Sequence, residues 1–511
     1  MPRALSITAI AALLPLFAAG QPAAAPKRPA AARIPTAPSA PPQSASERFF
    51  PYELKASALP NGLHVVRVAV PSRGLIAYQT VVRVGSRNEI EPGRTGFAHF
   101  FEHMMFRGTK DHPEGDRERI LGKLGFDDNA YTTDDFTVYH SYGPSSALEQ
   151  LVELESDRFR NLSYAEPSFQ TEAKAILGEY HKSASHPELK LEEALRGAAF
   201  QRHTYEHTTL GFYEDIQKMP AAYAYSKQFF ERWYTPDNTV LVIVGDFDDA
   251  RLMQLIEQHY GPWQGKSSQV AIRAEPAQSD LRSAHVAWKG PTLPRQMIAW
   301  HTPAARLDSL DAAYQDVLSA YLVGPTSELH KKLVLEQQIV EELSSWYEPH
   351  RDPFIFVLDA RLKDEKFRPR VRAAFDRAIR DLVDGRIDKK RVEDIKSHLR
   401  YTFLTGLESA DQIAGKVAVF IGVYGEPDAV ERHSQNVRKV KPGQLVAFAR
   451  QYFTARNRTE VTLTAAPAPC SSRSRSSPSA ARPVKTPPRK ASRATVPAPP
   501  PRIDLRSPPV R

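Results

Sequence analysis

The chain is predicted to be an α+β protein of two homologous domains, each a mostly antiparallel sheet packed with helices. Three observations predict it. Strand-like runs such as "LHVVRVAV", "LIAYQTVVRV" and "FTVYHSY" are interspersed with long amphipathic segments at 145–160, 218–232, 365–382 and 387–405. A repeat is visible: "FFERWYTPDNTVLVIV" (229–244) lines up with "FARQYFTARNRTEVTL" (448–463) at an offset of 219, placing Tyr234, Thr235 and Asn238 on Phe453, Thr454 and Asn457. With 511 residues, the chain is also longer than a single hydrophobic core commonly fills.

The N-terminus reads as an export signal. Arg3 precedes the apolar run "ALSITAIAALLPLFAAG", and small residues allow cleavage after Gly20 or as late as Ala25. The run is interrupted by Pro15 and falls short of the ~20 residues of a membrane span. A Pro/Ala-rich linker (21–47) follows, then a first domain (48–264), a linker "GKSSQVAIRAEPAQS" (265–279), a second domain (280–466) and a basic Pro/Ser/Arg-rich tail (467–511) expected to be disordered.

The formal net charge of +9 belongs to the ends. From Pro467 onward there are ten basic residues and one acid, and residues 1–47 hold four basic residues and one acid, so 48–466 carries −3. A nearly neutral body gives no reason to expect a nucleic-acid partner. The single cysteine, Cys470, excludes an intramolecular disulfide and a cysteine-based zinc cluster.

The chemistry-bearing stretch is "GFAHFFEHMMFRGT" (96–109), predicted to be a helix of about three turns. On a helix, residues i, i+3 and i+4 share a face, so His99 and His103 can offer both imidazoles to one ion with Glu102 beside them. Phe97, Phe100, Phe101, Met104 and Met105 surround this polar triplet. Buried imidazoles and a buried carboxylate are costly unless satisfied, and a divalent cation would satisfy them. Catalytic zinc takes three protein ligands. "SFQTEAKAILGEYHKSASHPE" (168–188) reads as a helix with Glu172 and Glu179 seven apart on one face, which suits one ligand and one supporting carboxylate, or equally a solvated acidic face.

These stretches resemble the inverzincin metallopeptidases, the family of pitrilysin, insulin-degrading enzyme and mitochondrial processing peptidase, whose signature is H-x-x-E-H. "LPNGLHVVRV", "VGSRNEIEPGRTGFAHFFEHMMFRGT", "DDNAYTTDDFTVYHSY" and "RWYTPDNTVLVIVGDFD" carry the likeness, which covers about 47–466. The resemblance implies one Zn²⁺ per chain on His99, His103 and Glu179, with Glu102 as general base and Glu172 as a second catalytic glutamate bonded to a ligand or the water. It implies two halves closing as a clamshell on a peptide substrate, which adds as a strand around Asn129-Ala130-Tyr131-Thr132, with Asn129, Ala130 and Tyr131 as the binding residues. The expected activity is zinc-dependent endopeptidase cleavage of peptides or unfolded segments, in the periplasm or outside the cell. The alternative is a non-catalytic scaffold subunit of the same fold.

At the same offset of 219, His99, Glu102, His103, Glu172 and Glu179 fall on Leu318, Tyr321, Leu322, Arg391 and His398, so the second domain is expected to lack the metal site. The resemblance also calls for an Arg and a Tyr in the second domain. In "GPTSELHKKLVLEQQIVEELSSW", Glu328 and Glu341 stand in their places. This departure predicts a heterodimer with a second chain of the same fold carrying that pair, or alternatively a homodimer.

Overall fold

A computed structural model describes residues 48–268 and 270–466; the expected signal peptide, Pro/Ala linker and basic tail lie outside the described residues. The first sheet holds β1 (Lys55–Ala58), β2 (His64–Ala69), β3 (Leu75–Val82), β4 (Asp127–Thr132), β5 (Thr137–Pro144) and β6 (Thr239–Gly245), in the order β1-β2-β6-β3-β5-β4. The second holds β7 (Arg282–Trp288), β8 (Arg295–Thr302), β9 (Val340–Trp346), β10 (Phe354–Leu362) and β11 (Arg458–Ala465), in the order β7-β11-β8-β10-β9. Among the described residues, only β2 with β6 and β7 with β11 pair in parallel.

The repeat is thus written into the topology. The order β2-β6-β3-β5-β4 recurs as β7-β11-β8-β10-β9, with the one parallel pair in the same place. β6 starts at Thr239 and β11 at Arg458, and β3 starts at Leu75 and β8 at Arg295, offsets of 219 and 220. The run "TVLVIVG" of β6 is apolar almost throughout because helices cover both faces of this strand, and every residue of it is buried.

The helices of the first half are α1 (Phe97–Met104), α2 (Asp116–Leu124), α3 (Leu148–Asn161), α4 (Glu166–Ser183), α5 (Pro187–Ala199), α6 (Tyr213–Lys218), α7 (Tyr223–Trp233) and α8 (Asp249–Tyr260). Those of the second are α9 (Asp311–Val323), α10 (Glu328–His330), α11 (Arg368–Val383), α12 (Lys389–Thr405), α13 (Ala410–Tyr424), α14 (Ala429–Lys439) and α15 (Pro442–Tyr452). Two expectations need correction. The helix expected over 218–232 is divided, because Pro220, which has no N–H to donate, sits in a 3₁₀ turn (Met219–Ala221) between α6 and α7. The helix around His99 has eight residues, about two turns and not three, because the chain leaves it at Met105 for a turn through Gly108, whose φ is +94°.

Each half lends a helix to the other half's sheet. α5 packs on β7 and β11, and α13 packs on β3 and β6. The buried clusters follow this exchange. Val66, Ala77, Val81, Val242 and Val244 of the first sheet share a core with Ile413, Val417 and Ile421 of α13, while Leu191 and Leu195 of α5 share one with Met297, Val357 and Val461. Gly422 permits the close approach of α13: a Cβ there would lie 2.4 Å from the Phe136 ring. Among the described residues, no helix is long and apolar enough to cross a membrane.

Candidate metal centre

α1 is fixed at its start by two devices. Gly96 sits at the N-cap with φ +87°, and a Cβ at that position would meet the Leu210 carbonyl oxygen at 2.7 Å. The buried Glu89 carboxylate accepts hydrogen bonds from Gly96 N–H and Ala98 N–H, both at 2.7 Å, at the positive end of the helix dipole. Burial pushes Glu89 up to about 8 although these donors favour its charged form. Phe97, Phe100, Phe101 and Met104 bury the apolar side of α1, and the Tyr139 hydroxyl donates to Phe101 O at 3.1 Å.

The opposite side of α1 carries His99, Glu102 and His103 and meets α4. On α4 the buried stripe Phe169, Ala173, Ile176 and Tyr180 packs inward and brings Glu172 and Glu179 to α1. One ligand atom from each of His99, His103 and Glu179 falls within 4.8 Å of the others. Glu179 Oε2 lies 3.5 Å from His99 Nε2 and 3.4 Å from His103 Nε2. A tetrahedral site with bonds of ~2.1 Å has edges of about 3.4 Å, so the three residues fit zinc. His103 Nε2 and Glu179 Oε2 are buried and make no hydrogen bond in the protein, which is costly unless another partner takes them up.

Glu172 lies behind this set. Its Oε1 is 2.8 Å from His103 Nδ1 and its Oε2 accepts from Arg107 Nε at 2.5 Å. It therefore touches the His103 ring and orients it. Burial alone would raise Glu172, but the His103 contact and the Arg107 guanidinium hold it below the usual carboxylate range. Burial lowers His99. It would lower His103 as well, but the surrounding carboxylates outweigh it and carry that imidazole up to about 10. The same carboxylate field that favours a proton on His103 favours a metal cation.

Glu102 is buried and accepts a hydrogen bond from the Thr132 hydroxyl at 2.6 Å. Thr132 ends β4, the edge strand of the first sheet. Of the three expected substrate-binding residues on β4, Ala130 faces the α1 core and Tyr131 packs against the α13 core. The exposed Asn129 turns its Oδ1 onto the Ala130 N–H at 2.8 Å. Glu89, Arg107 and Tyr139 have a hand in the site and were not singled out in the sequence; Thr132 was, as part of the expected substrate strand, but not as a partner of Glu102. Neither Arg107, which lies beyond the end of α1, nor Glu89 carried a local signal.

The offset positions of the second half hold no such set. Leu318 and Leu322 of α9 are buried, and the Arg391 guanidinium donates to Tyr321 O at 2.6 Å and lies 4.4 Å from the centre of that ring. Tyr321 and Arg391, the counterparts of Glu102 and Glu172, thus meet each other. Glu328 pairs with Lys331 at 3.1 Å and Glu341 with Arg361 at 3.0 Å, so neither carboxylate stands without a neighbouring cation.

Comparison with known proteins agrees with this division. The family model "Insulinase (Peptidase family M16)" matches residues 71–211, and the model "Peptidase M16 inactive domain" matches residues 223–399. The chain belongs to peptidase family M16. The M16 relative "Zinc protease PqqE" of Helicobacter pylori is 27% identical over 415 residues, 79% of this chain and 91% of that protein. The mitochondrial-processing peptidase subunit beta of Blastocladiella emersonii is 30% identical over 46% of this chain and 51% of its own length. Among solved structures, a protease from Helicobacter pylori matches with a TM-score of 0.74 at 26% identity, covering 81% of this chain and all of that one. The periplasmic protease PqqL of Escherichia coli shares the fold (TM-score 0.67, 18% identity), with 80% of this M16 chain matching 47% of PqqL.

Proposed function

We propose that this M16 chain is a zinc-dependent endopeptidase acting on peptides or unfolded polypeptide segments, exported to the periplasm or secreted. The observation that carries the reading is the convergence of His99, His103 and Glu179 on one point, with Glu102 on the same side of the same helix. Zinc held there would act as a Lewis acid on the scissile carbonyl and lower the pKa of the attacking water. Glu102 takes the proton from that water and returns it to the leaving amine. Glu172 keeps His103 in the orientation and tautomer that leave Nε2 facing the site. A peptide adding to the free edge of β4 receives main-chain hydrogen bonds once Asn129 releases the Ala130 N–H, which gives affinity with little sequence selectivity.

The competing reading, a non-catalytic subunit of the same fold, finds support in the likeness to cytochrome b-c1 complex subunit 1 of Bos taurus, 27% identical over 220 residues. The complete ligand set and base weigh against it. The purified protein should hold about one zinc per chain. His103→Ala should lose it, and Glu102→Gln should keep it while turnover on a peptide library falls by ~10²–10⁴. Stoichiometric zinc in His103→Ala, or normal turnover by Glu102→Gln, would sink the assignment.

Glu328 and Glu341 cannot donate to a substrate carbonyl while ionised. A missing oxyanion donor costs ~10²–10³ in turnover. The lone chain should therefore be weakly active, and a second M16 chain carrying the Arg/Tyr pair should raise its rate in the same assay. Full activity from the lone chain, unchanged in Glu328→Ala and Glu341→Ala, overturns the partner requirement; a homodimer is then the remaining assembly.

A further inference from the structure

We propose that Thr132 is a positioning residue for Glu102, so that the strand expected to receive substrate also sets the orientation of the base. The inference rests on the peptidase reading above. Its observation is the 2.6 Å hydrogen bond from Thr132 Oγ1 to Glu102 Oε2. A threonine hydroxyl has one proton to donate. The other nearby hydroxyl, Thr137 Oγ1, is 3.4 Å away and has Val84 O at 2.9 Å as its own acceptor. The Thr132 proton is thus directed at the carboxylate.

The placement of this hydroxyl is rigid. Thr132 pairs with Thr137 in the last register position of the β4–β5 hairpin. Two and three residues on, the turn is held by buried charge. Asp134 receives both Arg196 Nη1 and Nη2 at 3.0 Å and the Ser86 hydroxyl at 2.8 Å, and Asp135 receives the Tyr205 hydroxyl at 2.7 Å and Arg351 N–H at 2.9 Å. A side chain on a strand end fixed in this way can hold a carboxylate in one rotamer. Ala130, two residues earlier on the same face, is buried against the α1 core. The substrate edge and the base are thus joined through Thr132.

The alternative is that Thr132 serves only as a β-branched edge residue. Valine meets that need equally and cannot donate, so Thr132→Val separates the two. In Thr132→Val, kcat should fall about 10- to 100-fold with KM and zinc content unchanged, and Thr132→Ser, which keeps the hydroxyl, should recover most of the rate. High-resolution crystal structures give a readout that needs no turnover: one Glu102 rotamer in the wild type and in Thr132→Ser, several in Thr132→Val. A single unchanged rotamer in Thr132→Val, wild-type kcat in that variant, or a serine variant as slow as valine overturns the proposal. Normal turnover by Glu102→Gln overturns the peptidase reading and this inference with it, whereas a dead Glu102→Gln beside a fully active Thr132→Val overturns this inference alone.

Discussion

His103 uses its two ring nitrogens differently, and the difference explains why two glutamates stand on α4. Nδ1 faces Glu172 at 2.8 Å, while Nε2 faces Glu179 at 3.4 Å without a hydrogen bond. A carboxylate on Nδ1 fixes the tautomer that leaves Nε2 for a metal. Glu172 is itself held by Arg107. Glu172→Gln should therefore leave the fold intact and weaken zinc binding by about 10- to 100-fold, measured by competition with a chelator of known affinity. Unchanged affinity would show that the Glu172 contact does not support the ligand. The H-x-x-E-H spacing made His99, Glu102 and His103 legible in the sequence because helical geometry alone brings them together. Arg107 lies beyond the end of α1, and no rule of spacing joins Thr132 to Glu102 across 30 positions.

Between elements, the β4–β5 turn is tied to the β9–β10 loop of the other half. His350 directs Nε2 to Asp134 Oδ2 at 3.0 Å and Nδ1 to Glu348 O at 2.7 Å. Both neighbours are acceptors, so the ring satisfies them only as the imidazolium. Burial would lower His350, but Asp134, Asp135 and Glu348 outweigh it and raise it above its ordinary value of ~6.5. Asp134, held down by Arg196 and His350 against burial, stays ionised throughout the neutral range. A raised folded-state pKa means that the stabilisation is fully present below ~6.5 and is lost as pH rises through the folded value. His350→Ala should thus cost about 1–3 kcal/mol at pH 6 and less at pH 9, read from urea unfolding at each pH. The residual cost at high pH reflects the lost stack on Phe354, whose ring centre lies 3.7 Å away. A cost that grows with pH would contradict the charged pair.

For the whole molecule, the exchange of α5 and α13 sets what can fold alone. The sequence repeat invites a cut at 265–279, yet that cut would strip α13 from β3 and β6 and expose Val66, Ala77, Val81, Val242 and Val244. Burial of Ile413, Val417 and Ile421 alone contributes roughly 1.5–3 kcal/mol per side chain, comparable in total to the net stability of a domain. Residues 48–264 expressed alone should therefore aggregate or remain partly unfolded, and co-expression with 280–466 should restore a soluble complex. A soluble fragment with a cooperative thermal transition would show that the first half is autonomous. Glu431, which accepts from Phe49 N–H and Phe50 N–H, adds a second tie of the first half's N-terminal end to the second half.

By itself the sequence determined the α+β class, the internal repeat, the His99–Glu102–His103 face and the loss of that set at Leu318, Tyr321 and Leu322. All of these follow from periodicity and spacing along the chain, which local geometry turns directly into position. Tertiary structure decided what depends on contacts distant in sequence: that Glu89 caps α1, that Thr132 reaches Glu102, that Asp134 is clamped by Arg196 and His350, and that each half completes the other's core. Hydrogen bonds and apolar burial act over a few ångströms of space irrespective of chain separation, and only the folded chain shows which residues that short range brings together.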